Sequence, residues 1–272
     1  MKKIIVSLFY ISLISFVSCK EESKKMEEPT EETQITAIET KEIPEFTKGI
    51  EATHQKKDFL SYDIISYDLV VQFGGKEYLA AKFTQTTSGS KIKMERTNGE
   101  TVIYDGKEVY TNKPNANLPS DRFDIFTWPY FVTFPYKLND EGTIWSEFQD
   151  KPFYETTVAT GKLSFEANTG DAPDDWYVVY KDAKDYLVGA AYIVSFGKGK
   201  EAAEKEPHAV KYSNFSTING IPFATDWTYH MWTNESGFGD QIGEATLSNI
   251  TFSKADDTLF EKPQNPVVVP LK

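Results

Sequence analysis

Hydrophobic and polar residues alternate with a period of two over much of the chain beyond residue 60. The first run with this pattern has its apolar positions at Ile65, Tyr67, Leu69, Val71 and Phe73. Such alternation is typical of a strand with one buried face. Gly74-Gly75 follows at once and predicts a tight hairpin turn, as Asn219-Gly220 does later in the chain. We therefore expect antiparallel strands joined by short turns.

Further short alternating runs carry the same signal through residues 79–104, where Ser88-Gly89, Asn98-Gly99 and Asp105-Gly106 supply the turns. Longer runs follow in the second half of the chain. They predict strands at residues 153–165, 176–181, 187–196, 210–217, 223–232 and 242–252. The Lys/Glu/Gly-rich stretch 197–206 interrupts them and is interpreted as a polar loop.

Two segments have helical spacing instead. Residues 46–59 predict a short helix, and residues 121–136 carry large aromatic side chains three to four residues apart. Pro129 lies inside the second segment and should break or restart it, giving two short helical turns. The predicted fold is mainly β (α+β): one large curved antiparallel sheet, forming an incomplete barrel, with short helices covering one face.

The N-terminus has the pattern of an export signal. Lys2 and Lys3 precede an uncharged apolar run over residues 4–17, which at about 1.5 Å per helical residue is too short for a membrane-spanning helix. Phe16-Val17-Ser18-Cys19 resembles a bacterial lipobox, although Phe16 replaces the usual leucine. We predict a signal peptide at residues 1–18 and lipidation of Cys19; the alternative is a secreted protein with one free thiol.

The residues after the cysteine carry a second signal. Lys20, Glu21 and Glu22 resemble the surface-export signal of Bacteroidota lipoproteins. The resemblance implies a lipid-anchored protein of the outer membrane that faces the cell exterior. Two alternatives stay open: anchoring in the periplasmic leaflet, or a role for these charges as the start of a solvated tether.

Composition divides the chain into three parts. Residues 19–45 are rich in Glu, Lys, Thr and Pro and poor in large apolar residues, so we predict a disordered acidic tether. Residues 46–272 are long enough for one domain with a sizeable core. The net charge of −12 argues against nucleic acid as a partner. The predicted contact at this stage is the membrane, through the anchor, and the protein partner is unknown.

Three aromatic and turn motifs resemble a family of uncharacterised Bacteroidota lipoproteins. They are Phe131-Val132-Thr133-Phe134-Pro135-Tyr136-Lys137-Leu138, Asp171-Ala172-Pro173-Asp174-Asp175-Trp176-Tyr177, and Tyr212-Ser213-Asn214-Phe215 with Asn219-Gly220-Ile221-Pro222. That family is distantly similar to the LolA/LolB-like carrier and receptor of outer-membrane lipoprotein sorting. The resemblance implies a half-barrel with a helical cover and an apolar concavity. The anchor at Cys19 argues against a shuttling carrier.

No motif specifies a reaction. His54, His208 and His230 lack zinc-binding spacing, and neither a nucleophile elbow nor a phosphate loop is present. We predict no cofactor and no catalytic residue. Asp171, Asp174 and Asp175 form an oxygen-rich loop that is a weak calcium candidate, since a dedicated calcium loop has a different spacing. The alternative is a solvated turn.

A set of large aromatic residues is the predicted lining of an apolar ligand site. The set is Phe123, Phe126, Trp128, Phe131, Phe134, Trp176, Trp227 and Trp232. The alternative is that these side chains fill the core. Thr258, in Asp257-Thr258-Leu259, resembles a Bacteroidota O-glycosylation site.

Two main functions remain open at this point. The first is a non-enzymatic, membrane-anchored lipoprotein that holds a hydrophobic, lipid-like ligand in its half-barrel. The second is an envelope structural or interaction protein with a closed core. A third, an envelope hydrolase, requires two carboxylates such as Glu155 and Glu166 to meet in space.

Overall fold

Thirteen antiparallel strands form one sheet in the part of the chain that the computed structural model describes, residues 42–113 and 118–270. The sheet is open rather than closed into a barrel, and the fold is mainly β as predicted. The strands are β1 (Ile64–Phe73), β2 (Lys76–Thr86), β3 (Ile92–Arg96), β4 (Thr101–Tyr104), β5 (Val109–Thr111), β6 (Thr143–Phe153), β7 (Thr156–Phe165), β8 (Tyr177–Lys181), β9 (Leu187–Tyr192), β10 (His208–Ile218), β11 (Ile221–Thr233), β12 (Gly237–Ser253) and β13 (Val267–Val269).

The strand order is β13-β5-β4-β3-β2-β1-β12-β11-β10-β9-β8-β7-β6. Apart from the edge strand β13, each half of the sheet is a meander of strands adjacent in sequence. The pairing of β1 with β12, which runs from Ile64 opposite Ser253 to Phe73 opposite Gly243, joins the halves. Because β5 and β6 lie near opposite edges, the segment between them has to cross the whole sheet.

The two faces of the sheet are covered differently. The inner face, defined here by residues such as Leu69, Val179 and Tyr229, packs against the helices and forms the main core. The outer face carries a smaller cluster around Tyr180 and Trp232. There the β6–β7 hairpin curls towards the β11–β12 hairpin, and Lys151 Nζ donates a hydrogen bond to Asn234 Oδ1 over 2.8 Å.

The first predicted helix is two helices. Helix α1 (Glu45–Thr53) ends at His54, and α2 (Lys56–Phe59) begins after Gln55. The interruption arises at Gln55, whose φ of +56° is incompatible with a continuous right-handed helix. Ile50 of α1 and Phe59 of α2 are fully buried against the inner face.

The segment that crosses the sheet forms helix α3 (Leu118–Thr133) and a 3₁₀ turn (Phe134–Tyr136). The prediction that Pro129 breaks this helix is wrong, because α3 continues through Pro129 for another turn. Proline removes one N–H, but packing on the inner face offsets that loss. A second proline, Pro135, is the middle residue of the 3₁₀ turn that follows the end of the regular helix at Thr133.

Turns and strand limits follow the sequence closely in places. The register of β1 with β2 leaves Gly74-Gly75 as a two-residue turn, and that of β10 with β11 leaves Asn219-Gly220. Both turns have positive φ at both residues, as predicted for these dipeptides. Strands β5, β6 and β13 were not predicted, and the presumed loop at 197–206 contains a short helix, α4 (Lys200–Ala203).

The predicted signal peptide, Cys19, the export residues Lys20, Glu21 and Glu22, and most of the tether lie outside the described residues. The domain limits at residues 18, 45 and 272 stay predictions. Among the helices described, none has the length and apolar character needed to cross a membrane.

Candidate functional site

Helix α3 lies over the inner face and presents aromatic side chains to it. Trp128, Phe131 and Phe134 are buried, and so is Trp227 on β11. The Phe131 ring lies 5.0 Å from that of Tyr192 and 6.4 Å from that of Tyr229, between ring centroids. The structure therefore brings four predicted aromatic residues into one region between helix and sheet.

Tyrosines from four neighbouring strands lie in the core between this helix and the sheet. With Tyr130 of α3 we call them the tyrosine cluster: Tyr130, Tyr177, Tyr192, Tyr212 and Tyr229. Tyr177 and Tyr192 are directly opposed on β8 and β9, and Tyr212 is opposed to Trp227 on β10 and β11. Because side chains on a strand alternate between faces, these tyrosines all point to the inner side.

One hydroxyl of the cluster has a clear structural task. Tyr212 donates a hydrogen bond to the carbonyl oxygen of Phe131 over 3.1 Å. That carbonyl lacks its usual helical donor four residues on, because Pro135 has no N–H. The bond fastens the C-terminal end of α3 to β10.

Two other hydroxyls have no such task. The hydroxyl groups of Tyr130 and Tyr229 are buried and have no hydrogen-bond partner in the structure. Burial raises the pKa of both, with further increases from Asp140 and Asp175 at Tyr130 and from the Tyr192 and Tyr212 hydroxyls at Tyr229. Both groups are therefore neutral donors held in an apolar interior.

His54 is a third unsatisfied group on the inner face, near the end of the sheet covered by α1. Its Nε2 accepts a hydrogen bond from the backbone N–H of Leu187 over 3.0 Å, which makes Nδ1 the protonated nitrogen. Nδ1 is buried and makes no hydrogen bond of ordinary geometry, although the nearby Pro222 carbonyl opposes the effect of burial on the pKa. Burial lowers the pKa of His54 to about 4, so the ring is neutral at pH 7.

A cavity of about 20 Å³ lies beside this histidine. Its walls include Tyr136, Tyr212, Phe223 and Trp227. The volume suits one water molecule and is far below the roughly 300 to 1,000 Å³ of sites for larger ligands. A molecule larger than water could enter this cavity only if its walls moved apart.

Buried charges hold the N-terminal half of α3. Arg96 of β3 donates to Asp124 Oδ2 over 2.6 Å and lies 3.4 Å from Asp121 Oδ1 and 3.2 Å from Glu100 Oε2. Asp124 also accepts hydrogen bonds from Trp128 Nε1 and the Tyr78 hydroxyl. We call the four residues Arg96, Glu100, Asp121 and Asp124 the ion cluster.

The ion cluster has more acids than bases. Burial, followed by the charge of Glu100, raises the pKa of Asp121 to about 6 even though Arg96 acts in the opposite direction. Asp121 Oδ2 is buried without a partner. Ionised Asp121 is thus disfavoured in the folded protein, and it lies in the first turn of the helix that covers the inner face.

The remaining predicted aromatic residues divide between the two faces. Phe123 and Phe126 of α3 are partly buried against the main core. Trp176 and Trp232 instead contact each other on the outer face, where Trp232 Nε1 donates to the Tyr180 hydroxyl over 2.8 Å. The predicted set therefore does not form one surface, and the ligand-lining role of its members stays a prediction.

The acidic loop has structural partners. Arg122 donates two hydrogen bonds to the Asp171 carboxylate, and Asp175 accepts one from the backbone N–H of Ser195 over 2.7 Å. Asp174 is exposed beside an open cavity of about 290 Å³. Over residues 42–113 and 118–270, no group of three His, Cys, Asp or Glu side chains is arranged to hold a metal ion.

The candidate hydrolase pair is not brought together. Glu155 precedes β7 and Glu166 follows it, so the two exposed carboxylates lie at opposite ends of a ten-residue strand, roughly 30 Å apart. The two carboxylates therefore cannot act together on one bond of a substrate. Thr258 is exposed in a 3₁₀ turn, where its hydroxyl donates to Asp256 Oδ1, and its glycosylation stays a prediction.

The sequence analysis predicted neither the tyrosine cluster nor the ion cluster as part of a site. The period-two alternation that places Trp227 inward also places Tyr229 inward, so the tyrosines on β8 to β11 carried a usable signal. The ion cluster had none, because Arg96 and Asp124 belong to different elements and meet only in the fold.

Comparison with known proteins gives distant similarities to solved structures. They include a LolA superfamily protein from Nitrosomonas europaea (11% identity, 78% of this chain and 97% of that chain, TM-score 0.49). A DUF1329 family protein from Desulfovibrio piger has 12% identity, coverages of 79% and 97%, and the same TM-score. The lipoprotein LppX from Mycobacterium tuberculosis has 9% identity, coverages of 77% and 96%, and a TM-score of 0.26.

No family model matches the chain, and no curated protein matches it. All three TM-scores lie below 0.5, and these similarities decide nothing about the function of this chain. The predicted membership in a Bacteroidota lipoprotein family stays a prediction.

Proposed function

We propose that the protein holds an apolar, lipid-like ligand between the inner face of its sheet and helix α3, without catalysing a reaction. The observation that carries the proposal is the composition of this interface. It is built of large aromatic rings, yet it buries the hydroxyls of Tyr130 and Tyr229 without partners. A core that only had to pack would gain from phenylalanine at both positions, since an unsatisfied buried hydroxyl costs about 1–3 kcal/mol.

The way α3 is attached agrees with this function. The ion pair of Arg96 with Asp124 fastens its N-terminal half, and the hydrogen bond from Tyr212 to the Phe131 carbonyl fastens it near its C-terminal end. Between these contacts the interface is mainly aromatic. We propose that these contacts break when the helix lifts from the sheet to admit the ligand, since the cavity beside His54 has a volume of only about 20 Å³.

We further propose that the protein is held at the outer membrane by lipid on Cys19, with Lys20, Glu21 and Glu22 directing it to the cell exterior. Anchoring in the periplasmic leaflet is the alternative. Several acyl chains on one residue hold a protein at a membrane without any contact from the folded domain. The inner face then stays available for a ligand.

A second candidate is an envelope interaction protein whose core is permanently closed. The small volume of the same cavity favours it. The two functions differ in one respect that is open to experiment: only the first requires the space between α3 and the sheet to open.

The test uses the mature chain from Lys20, which keeps every described residue and lacks the lipid anchor. Native mass spectra and organic extraction would show whether an apolar molecule co-purifies or binds on addition. Phe131→Ser, on the inner face, should reduce binding, whereas Trp232→Ser, on the outer face, should leave it unchanged in samples that keep their circular dichroism. A protein that stays empty with every lipid offered would support the closed-core function.

A further inference from the structure

Tyr229 is the most enclosed donor of the tyrosine cluster. Its side chain is fully buried in β11, and its hydroxyl has no partner. Its ring lies 5.3 Å from Phe73, 6.1 Å from Trp128 and 6.4 Å from Phe131, so both sheet and helix contribute to its surroundings. A ligand beneath α3 that carries an acceptor oxygen would satisfy this hydroxyl, which a plain hydrocarbon would not.

The charges near the cluster restrict that acceptor. The charges of Asp140 and Asp175 raise the pKa of the Tyr130 hydroxyl, and the charge of Asp175 also raises that of Tyr177. The other groups that raise the pKa of the cluster hydroxyls are tyrosines of the cluster itself. His54, at the α1 end of the same face, is neutral. Lys137 already pairs with Asp140 over 3.3 Å, and no cation is among the groups that shift the pKa of the cluster hydroxyls. A buried carboxylate or phosphate would therefore lose its hydration without gaining a cation, which is strongly unfavourable.

We infer that the ligand is a neutral acyl ester whose carbonyl oxygen accepts a hydrogen bond from Tyr229, with Tyr130 as a second donor in the same interior. This inference rests on the proposed function and narrows its ligand class. An ester carbonyl combines an uncharged acceptor with apolar chains on one or both sides. It suits aromatic walls and isolated neutral donors, and it does not require a cation.

The experiment compares three probes of equal chain length: methyl laurate, laurate at pH 8 and dodecane, each offered to the mature chain from Lys20. Displacement of a fluorescent apolar dye measures relative affinity. Methyl laurate should bind at least about tenfold more tightly than laurate, since the anion has to lose its hydration without a cation. It should also bind more tightly than dodecane.

Tyr229→Phe removes the donor and leaves the ring. Since its hydroxyl has no protein partner, the variant should fold as the parent does. It should lower methyl laurate affinity about fivefold, the effect of one ordinary hydrogen bond, and leave dodecane affinity unchanged. Tyr110→Phe, which removes a hydroxyl on the outer side of β5, is the matched control.

A second measurement does not depend on any variant. The carbonyl stretching frequency of bound methyl laurate, labelled with ¹³C at the ester carbon, should fall relative to the same ester in hydrocarbon solvent. Equal affinity for ester and anion, or an unshifted carbonyl band, would overturn the inference while leaving the proposed function in place. Failure of the dye and all three probes to bind would overturn both.

Discussion

Arg96 of β3 and Asp124 of α3 form an ion pair with 2.6 Å between Nη2 and Oδ2, in which Asp124 is buried and Arg96 is partly buried. Arg96→Gln should lower the free energy of unfolding by about 3 kcal/mol, because it leaves Asp124 and its neighbouring carboxylates without their cation. Urea unfolding followed by tryptophan fluorescence measures this. Lys254→Gln is the matched control, since Lys254 is an exposed partner of Asp63 at 3.8 Å, and it should change stability by less than about 0.5 kcal/mol. Similar losses for both variants would contradict this role.

The same pair should also set the rate of ligand exchange. If α3 has to lift for a ligand to enter, Arg96→Gln should speed both uptake and release of an apolar dye, because the contact that fastens its N-terminal half is missing. Stopped-flow fluorescence would measure both rates. Unchanged rates in a folded Arg96→Gln sample would indicate another route of entry.

Asp121 should make the protein less stable as pH rises. Its folded pKa of about 6 lies above the ordinary value of 3.8, so between these values the folded state binds more protons than the unfolded state. Stability therefore falls as pH increases through this window, and the loss is complete above pH 6. Asp121→Asn should remove that slope and raise stability at pH 7 by about 1–2 kcal/mol. If the stability of Asp121→Asn fell more steeply with rising pH than that of the parent, the result would show that Arg96 needs the ionised Asp121 carboxylate.

His54 should act in the opposite direction. Its folded pKa of about 4 lies below the ordinary value of 6.5, so the unfolded state binds more protons between these values. Stability therefore falls as pH decreases from 6.5 towards 4. His54→Gln keeps an acceptor for the Leu187 N–H and should abolish this component. Unfolding curves at half-unit pH steps, recorded for both this variant and Asp121→Asn, separate the two opposing slopes.

Replacing tyrosine by phenylalanine should affect stability differently at Tyr212 and at Tyr229. Tyr212→Phe removes the donor to the Phe131 carbonyl and should lower stability by about 1–3 kcal/mol, since that buried oxygen loses its partner. Tyr229→Phe breaks no hydrogen bond and should leave stability unchanged or slightly higher. Thermal unfolding of the ligand-free protein compares them directly. Equal losses would show that Tyr229 has a structural partner.

Gly243 determines where Phe73 lies beside the cluster. A Cβ atom at Gly243 would come within 2.3 Å of Phe73 Cδ1 and 2.6 Å of the Gln72 carbonyl oxygen. Gly243→Ala should therefore push Phe73 out of place and lower stability by about 1–3 kcal/mol. Glu244→Ala, at the exposed neighbouring position, should be nearly neutral, and chemical unfolding of the pair checks both.

The sequence predicts the fold well because strands with one buried face leave a period of two, and glycine-bearing turns set their register. Gly74-Gly75 and Asn219-Gly220 are examples. Helix α3 departs from expectation at Pro129, where tertiary packing overrides a local preference. Strand β6 was missed because most of its side chains are exposed, so apolar alternation is absent.

The candidate site could be predicted only in part. Trp128, Phe131, Phe134 and Trp227 meet on the inner face, whereas Trp176 and Trp232 lie outside it. A shift of one residue along a strand reverses the face, so residue type alone cannot divide such a set. The partnerless hydroxyls and the ion cluster depend on contacts between distant segments, which no local pattern records.

The pairing of β1 with β12 has a consequence for how the protein is made. Ile64 pairs with Ser253, which lies 189 residues later in the chain, so the centre of the sheet is completed only when nearly the whole chain is available. Until then β1 presents an unpaired edge, the kind of surface that promotes misassembly. If the protein is exported before it folds, as the predicted signal peptide implies, β1 would emerge long before its partner β12. Chaperones that bind exposed strand edges would have their largest effect on folding yield during that interval.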